Sequence, residues 1–410
     1  MKKIFLIIVL AFAIYSCTEP YAIQTNTFED ALVIEATITN ELKKQEIKIT
    51  RSYTFEETEP VVETGATVNI TDDLGNLYNF EEVNGKYVSE FEFEAMPNRQ
   101  YQLFIETTNG KQYTSTREKL TTVTSLTAVN ATQKTIFGVD GVEITANSYD
   151  PTGNSKYYRF EYEETYKIVS PFWTPEKLNL SYNHDDFTVT AWFTQKDYDS
   201  SICFNTEYSN DIVLVNNSGL NEDKITDFPI RFVPQENHII AYRYSILVKQ
   251  YIQNLEAYTF YKTLKDFSSE GSVLSPNQPG FIEGNINNVN DKSEKVIGFF
   301  DVSSASSIRI FFNYNDIFQG EPISKYHINC DENYYNHTYN PGIEPEDCDN
   351  PPTPPPHDHP YCETGMYALY RNVQFLQGEI YNRDTYKTTI PICGECNRAY
   401  STVVPDFWID

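Results

Sequence analysis

One stretch near the start of the chain reads Leu32-Val33-Ile34-Glu35-Ala36-Thr37-Ile38-Thr39. Every second side chain in it is apolar, beginning at Leu32 and ending at Ile38. Successive side chains of a β-strand point to opposite faces of the sheet, so this period of two predicts a strand with one buried face. The stretch therefore indicates that the folded part of the chain begins with β-structure.

The same period continues in the segments that follow. Turn signals separate these segments, among them Asp73-Leu74-Gly75-Asn76, Asn84-Gly85 and Asn109-Gly110. Asn-Gly supplies the positive φ angles that a two-residue hairpin turn requires. Short antiparallel strands without a helical pattern predict an Ig-like or carboxypeptidase-regulatory-like β-sandwich over residues 28–120. The alternating positions are Ile47, Ile49, Arg51, Val68, Ile70, Tyr101, Leu103 and Ile105.

A larger, β-rich second domain is predicted over residues 121–410. A chain of 410 residues is too long for one hydrophobic core. The Thr- and Ser-rich stretch 121–132 begins the link, and three further segments read as strands, namely Gly141–Asn147, Tyr157–Val169 and Phe187–Phe193.

One segment of this second domain has helical spacing instead. Asn254 is a good N-cap residue and Gly271 closes the run. We interpret the aromatic stripe between them as packing against a sheet, rather than as a ligand site, because helices that border a core have this pattern. The stripe consists of Leu255, Tyr258, Tyr261, Leu264 and Phe267.

The N-terminus has the layout of an export signal. Lys2 and Lys3 precede the uncharged apolar run 4–14, which is too short to span a hydrocarbon core of about 30 Å. The following Ile14-Tyr15-Ser16-Cys17 resembles the lipobox of bacterial lipoproteins. We therefore predict that residues 1–16 are a signal peptide that is removed, and that residues 17–27 form a lipid anchor, attached through Cys17, and a tether. The alternative is an ordinary signal with a chance cysteine.

The composition agrees with a folded part that lies in solvent and is held at a membrane by such an anchor. Several acyl chains on one residue make membrane attachment stable, whereas one chain gives marginal binding. The formal net charge of −27 disfavours nucleic acid as a partner, because phosphate binding needs clustered Lys and Arg. The acidity is spread along the chain, which favours a role in solubility.

Short motifs along nearly the whole chain resemble a family of Bacteroidota lipoproteins that is catalogued as domain of unknown function 4249. Each motif is weak alone, and the resemblance rests on their order. They are Leu32-Val33-Ile34-Glu35-Ala36, Gly65-Ala66-Thr67-Val68, Gly85-Lys86-Tyr87, Arg243-Tyr244-Ser245, Gln250-Tyr251, Glu256-Ala257-Tyr258, Gly284-Asn285-Ile286, Gly298-Phe299-Phe300, Cys393-Gly394-Glu395-Cys396 and Pro405-Asp406-Phe407-Trp408.

The resemblance implies a role rather than a reaction. Members of this family are typically encoded beside TonB-dependent outer-membrane transporters, which implies an accessory function at the cell surface. The family has no established catalytic residues, so the resemblance assigns none to this chain and implies no cofactor.

Catalytic motifs are absent from the sequence. It contains no Gly-rich phosphate loop, no His-Glu-x-x-His and no Gly-x-Ser-x-Gly. Asp185-Asp186 and Glu163-Glu164 are possible acid/base pairs, but with 58 acidic residues chance adjacency explains them. We therefore expect that the protein is not an enzyme.

His357-Asp358-His359 is the sharpest candidate for a metal site. Imidazole and carboxylate are suitable ligands for zinc or copper, and His337 or His327 could complete the set. The motif follows the Pro-rich tract 351–356, which favours an extended, solvated backbone. An exposed Pro-rich loop is the preferred interpretation.

Six cysteines besides Cys17 favour disulfides in an exported protein. The spacing of Cys393 and Cys396 also fits a redox or zinc motif, but a thioredoxin-like site needs a βαβ setting that the sequence does not indicate. We expect a disulfide-stapled C-terminal region whose pairing is open. The candidates are Cys203, Cys330, Cys348, Cys362, Cys393 and Cys396.

Together these features predict a non-catalytic lipoprotein of the outer membrane, on its external face, with the periplasmic face as the alternative. Its expected partner is a TonB-dependent transporter. The protein either captures a ligand for this transporter or docks on it. A structural subunit of a larger outer-membrane assembly is the second hypothesis, and a surface hydrolase is the third. Tyr334-Tyr335 and Tyr367–Tyr370 are candidate contact segments, since Tyr is enriched at binding surfaces.

The first testable prediction concerns the anchor. Replacement Cys17→Ser should abolish acylation, because only Cys17 stands in the lipobox position. Metabolic labelling with a fatty-acid analogue, followed by membrane fractionation, measures the change. Label that persists on the Cys17→Ser protein would contradict the lipobox assignment.

Overall fold

The computed structural model describes residues 31–52, 60–183, 188–269, 282–330, 333–336, 368–373 and 385–409. The signal peptide, Cys17 and the tether lie outside these residues, and their assignments stay predictions. In the described part, the chain is mainly β with few helices, which confirms the predicted fold class.

The alternation of the opening strand is present in the structure. Leu32, Ile34, Ala36 and Ile38 are all at most 2% exposed, on the inner face of β1. Eight further strands follow among the described residues before residue 120. The strands are β1 (Leu32–Thr39), β2 (Glu46–Arg51), β3 (Val61–Val62), β4 (Thr67–Asp72), β5 (Leu77–Val83), β6 (Lys86–Ser89), β7 (Gln100–Glu106), β8 (Gln112–Ser115) and β9 (Glu118–Lys119).

These strands form one antiparallel run in the order β1-β2-β6-β5-β4-β7-β8. The predicted Asn-Gly turn joins β5 to β6, and Asn84 (φ 51°) and Gly85 (φ 75°) both take the left-handed conformation. β-strands pack their alternate side chains on one face, so the sheet encloses a first hydrophobic cluster that includes Ile47, Ile70 and Leu103.

The described residues after Lys119 supply fourteen more strands and the helices. The strands are β10 (Leu126–Ile136), β11 (Val139–Asp150), β12 (Tyr157–Val169), β13 (Glu176–Asn183), β14 (Thr188–Gln195), β15 (Ile202–Tyr208), β16 (Val213–Asn216), β17 (Asp223–Pro234), β18 (Arg243–Gln253), β19 (Ile286–Asn288), β20 (Val296–Asn313), β21 (Asn333–Asn336), β22 (Ala368–Val373) and β23 (Thr385–Thr389). The helices are α1 (Leu255–Ser269), α2 (Tyr314–Ile317) and α3 (Pro391–Gly394), with 3-10 turns at His238–Ile240 and Cys396–Arg398.

The strand β20 connects the two parts of the molecule. Its first half, Val296–Ser303, pairs in parallel with β1. Its second half, Ser304–Asn313, pairs antiparallel with β18. One sheet therefore runs through both parts in the order β15-β12-β18-β20-β1-β2.

This sheet packs on a second, three-stranded sheet, β10-β11-β17, around a second hydrophobic cluster. The first cluster also takes residues from the later part of the chain, among them Ile286, Phe300 and Val302. The arrangement is β-sandwich-like, and residues 28–120 do not supply all of the first core.

The helix α1 begins as the sequence predicts. The Asn254 side chain accepts a hydrogen bond from the Ala257 backbone N–H at 2.7 Å, which is an N-cap interaction. The predicted buried face is wrong in part, because Leu255 is 52% exposed. Ala257 and Phe260 are buried against Phe299 instead, so the packed face is rotated from the predicted stripe.

A second testable prediction follows from the approach of β20 to β1. A Cβ atom at Gly298 would lie 2.6 Å from the Ile34 carbonyl oxygen and 2.9 Å from the Ile34 Cβ. Replacement Gly298→Ala should lower the free energy of unfolding by about 1–3 kcal/mol, the usual cost of overpacking. Urea unfolding measures this loss. Gly219→Ala is the control, because its Cβ would meet no atom within 4 Å; equal losses in both variants would contradict the prediction.

Candidate functional site

A cleft of about 700 Å³ lies on the face of the central sheet that is turned toward α1. Its floor is formed by side chains at alternate positions of β12, β18, β20 and β1. One end is closed by α1, through Tyr261 and Leu264. The floor residues that matter for its chemistry are Glu35, Arg159, Glu161, Glu163, Lys249, Tyr251 and Phe299.

The period of two on β12 decides which acidic groups reach the cleft. Glu161 and Glu163 share the cleft face, whereas Glu164 lies on the opposite face. There Glu164 is buried, accepts a hydrogen bond from the Tyr244 hydroxyl at 2.6 Å and is ion-paired with Arg231 at 3.3 Å. The acid/base pair Glu163-Glu164 is therefore wrong as a hypothesis, because the two carboxylates point to different sides of the sheet.

Arg159 forms the back of the cleft. Its guanidinium lies between the rings of Tyr251 and Tyr261, 4.4 Å from each ring centroid, and the residue is only 6% exposed. It is also ion-paired with Glu161. Cation–π contacts strengthen when they are desolvated, so this sandwich holds α1 against β12 and β18. Burial raises the pKa of the Tyr251 hydroxyl, which also bonds Glu161.

Behind Arg159 lies a second buried carboxyl, Asp301 on β20. It accepts hydrogen bonds from Ser303 at 2.7 Å and from Gln253 at 3.3 Å. Burial raises the pKa of Asp301, while these bonds and the charge of Arg159 lower it, and burial dominates. Within the described residues, Asp301 Oδ1 and Arg159 Nε have no hydrogen-bond partner.

Two further carboxylates of the floor, Glu163 and Glu35, have cationic neighbours as well. Arg309 bonds Glu163 at 2.6 Å, and Lys48 lies 3.6 Å from Glu35. Tyr208, at 68% exposure, stands on the rim of the cleft. The charges of the paired groups largely cancel. The cleft therefore offers hydrogen-bond donors and acceptors in fixed positions rather than a strong electrostatic field of one sign. Such a surface suits a polar ligand of low net charge.

Among the described residues, two disulfides tie the C-terminal region to the rest of the chain and to itself. Cys203 is bonded to Cys396 and Cys330 to Cys393, each with Cα atoms 5.8 Å apart. The two cysteines of the Cys-x-x-Cys motif thus have different partners and do not form a redox pair with each other. Cys348 and Cys362 lie outside the described residues.

The other candidates from the sequence are placed as follows. His357-Asp358-His359, His337 and Asp185-Asp186 lie outside the described residues. In the part of the chain that the structure describes, no group of three or more His, Cys, Asp or Glu could hold a metal ion. Tyr334 and Tyr335 belong to β21 and Tyr370 to β22, while Tyr367 lies outside the described residues.

His327 has a partner that the sequence did not indicate. Its ring stacks on that of His238 with centroids 4.4 Å apart, and its Nε2 lies 2.8 Å from the Tyr400 hydroxyl. Burial lowers the pKa of both imidazoles, and the neighbouring His327 lowers that of His238 further. This pair therefore joins the loop before β21 to the 3-10 turn that follows β17.

The sequence did not predict that the floor residues form one cleft, and the reason is geometric. Arg159 meets Tyr251 and Tyr261, which are distant in sequence, and no local motif connects them. The available signal was the alternation of charged Arg159, Glu161 and Glu163 with aromatic residues inside a predicted strand. That pattern indicates a polar sheet face, but not which strands lie beside it.

The fold and the cleft define a mainly β protein that has a cleft of about 700 Å³, lined by charged and aromatic side chains, on one sheet face. The chain belongs to the family described as Domain of unknown function (DUF4249), whose model matches residues 18–309. No curated protein matches the chain. The match ends within β20 and includes the cleft floor. None of the helices in the described part is long and apolar enough to cross a membrane.

The stacked histidines generate a third testable prediction. Their folded-state pKa values lie below the ordinary 6.5, so the unfolded chain takes up protons first as the pH falls. The free energy of unfolding should therefore be level above about pH 7 and decline as the pH falls below 6.5. Urea unfolding at a series of pH values measures the decline.

The control for this prediction is the double variant His238→Phe with His327→Phe. It keeps two stacked rings but removes their titration, so the decline between about pH 7 and 5 should flatten. Carboxyls such as Asp150, whose pKa is lowered to about 2, act only at lower pH. An equal decline in the double variant would contradict the assignment to this pair.

Proposed function

We propose that this protein is a non-catalytic lipoprotein of the bacterial outer membrane that captures a polar ligand in the cleft for a TonB-dependent transporter. Three observations support the proposal: the lipobox that ends at Cys17, the membership in the family and the cleft itself. The external leaflet is the proposed location, and the periplasmic face is the alternative.

The cleft is the observation that carries the binding role. Ligand sites are concave, about 300–1,000 Å³ in volume, and hold a few polar groups in fixed positions. Here the volume is about 700 Å³, and Arg159 and Arg309 hold Glu161 and Glu163 in place. Fixed side chains lose little freedom when a ligand binds, which favours affinity.

A surface hydrolase is a second candidate, because Glu161 and Glu163 both face the same open cleft. Each is already engaged in an ion pair with an arginine, whereas catalysis by a carboxylate pair requires both groups to contact the substrate. Loss of a measured hydrolytic activity in both Glu161→Gln and Glu163→Gln would favour this candidate over ligand capture.

The fourth testable prediction addresses the capture role directly. Tagged protein extracted from native membranes in mild detergent should bring down a β-barrel transporter in near-equal amount. Deletion of the gene should impair uptake of one nutrient class and leave the envelope intact. A protein that is recovered alone after crosslinking would contradict the partnership, and a multi-subunit machine with general envelope damage would favour the assembly-subunit alternative.

Cleft variants separate ligand capture from docking. Lys249 lines the floor, so Lys249→Glu should weaken ligand binding about tenfold, which corresponds to about 1.4 kcal/mol. Nutrient uptake should fall as a result, while the amount of transporter that co-purifies should not change. Lys224→Glu is the matched control, because Lys224 is exposed on β17, outside the cleft. Equal uptake in both variants would contradict binding in the cleft.

A further inference from the structure

The hairpin formed by β10 and β11 ends in an unusual turn. Ile136 and Val139 are the last paired residues, so Phe137 and Gly138 alone form the turn. Both have positive φ angles, 51° and 81°. Asn, Asp or Gly ordinarily occupies the first position of such a turn, as Asn84 does in the turn between β5 and β6. A phenylalanine there is held in an unfavourable backbone conformation.

Nothing within the described residues covers the Phe137 ring. The residue is 103% exposed, the highest value among the exposed apolar residues, and Val139 beside it is 47% exposed. The ring therefore contributes no packing to the fold that could offset the strained backbone. Unfavourable conformations of this kind concentrate at functional positions, where an external contact benefits from them.

The turn Phe137-Gly138 is the tip of this hairpin. The charges near the tip favour a protein, rather than a lipid surface, as the partner of Phe137. Lys134, the nearest cation along the hairpin, is bonded to Glu143, and Asp140 accepts a hydrogen bond from Thr135. The chain as a whole carries a formal charge of −27. Peripheral attachment to anionic lipid needs exposed Lys and Arg with free charge, whereas Lys134 is exposed but already ion-paired with Glu143.

The backbone beside the tip is available to a partner as well. Among the described residues, β10 pairs only with β11, so its other edge is unpaired by any strand. An unpaired strand edge can add a strand from another protein. One aromatic anchor together with this edge provides a larger contact than the ring alone, which suits an interface of about 1,000 Å² or more.

We propose that Phe137 is a docking anchor. Its ring inserts into an apolar pocket of a protein partner, and the partner lies beside the unpaired edge of β10. This inference rests on the proposed function, and the partner is the β-barrel transporter named there. Aromatic anchors in desolvated pockets dominate the energetics of protein interfaces. The ring is thus presented at the turn of the β10–β11 hairpin, which belongs to the three-stranded sheet β10-β11-β17.

Two replacements at this position separate docking from folding. Phe137→Gly removes the ring and relieves the positive-φ strain, so the thermal unfolding midpoint should be unchanged or higher. Co-purification of the transporter should nevertheless fall at least tenfold, as it should for Phe137→Ala. Phe91→Ala is the matched control, because Phe91 is 72% exposed elsewhere in the chain and its loss should leave co-purification intact.

The outcomes are distinguishable from failure of the proposed function. If the wild-type protein brings down no transporter, the proposed function fails together with this inference. If the wild type and Phe137→Gly bring it down equally, only the anchor is overturned. A benzophenone side chain at position 137 should crosslink to the transporter, and a crosslink to a second copy of this chain would overturn the proposal.

A lipid role is tested separately. The Cys17→Ser protein is mixed with vesicles of phosphatidylcholine and phosphatidylglycerol, and the bound fraction is measured by flotation. We expect no binding that depends on Phe137. Binding that is lost in the variant carrying both Cys17→Ser and Phe137→Ala would identify the tip as a membrane wedge and overturn the proposal.

Discussion

The backbone hydrogen bonding of β20 is the interaction on which the rest of the molecule depends. This single strand of 18 residues pairs with β1 along its first half and with β18 along its second. Both hydrophobic clusters use its side chains, since Val302 belongs to the first and Phe312 to the second. The cleft floor also needs it, because β20 brings the sheet face of β12 and β18 beside that of β1.

Local structure could be predicted from the sequence where neighbouring residues determine it. The strand Tyr157–Val169 has the predicted bounds, and the Asn84-Gly85 turn and the Asn254 cap are present. The buried face of α1 was predicted in part wrongly, because its orientation depends on Phe299, a residue of another element. A helix with aromatic residues on several sides does not itself decide which of them is buried.

Long-range pairing could not be predicted for the same physical reason. The register Ile34↔Gly298 joins residues far apart in sequence, and the alternation of each strand is compatible with many neighbours. The candidate site could not be predicted for the same reason, because Glu161 belongs to the cleft only through the position of β12 between β15 and β18. Metal and disulfide candidates chosen by spacing were not the residues that form the cleft.

The bond between Cys203 and Cys396 closes a loop across 193 positions of the chain. In the chain-entropy description, such a closure removes about 5 kcal/mol of conformational freedom from the unfolded state. It also has a consequence for cleavage of the folded protein. A single cut in the chain between these cysteines leaves the two fragments covalently joined, and β20 stays between its neighbours. The cleaved protein therefore remains one molecule until a reductant breaks the disulfide.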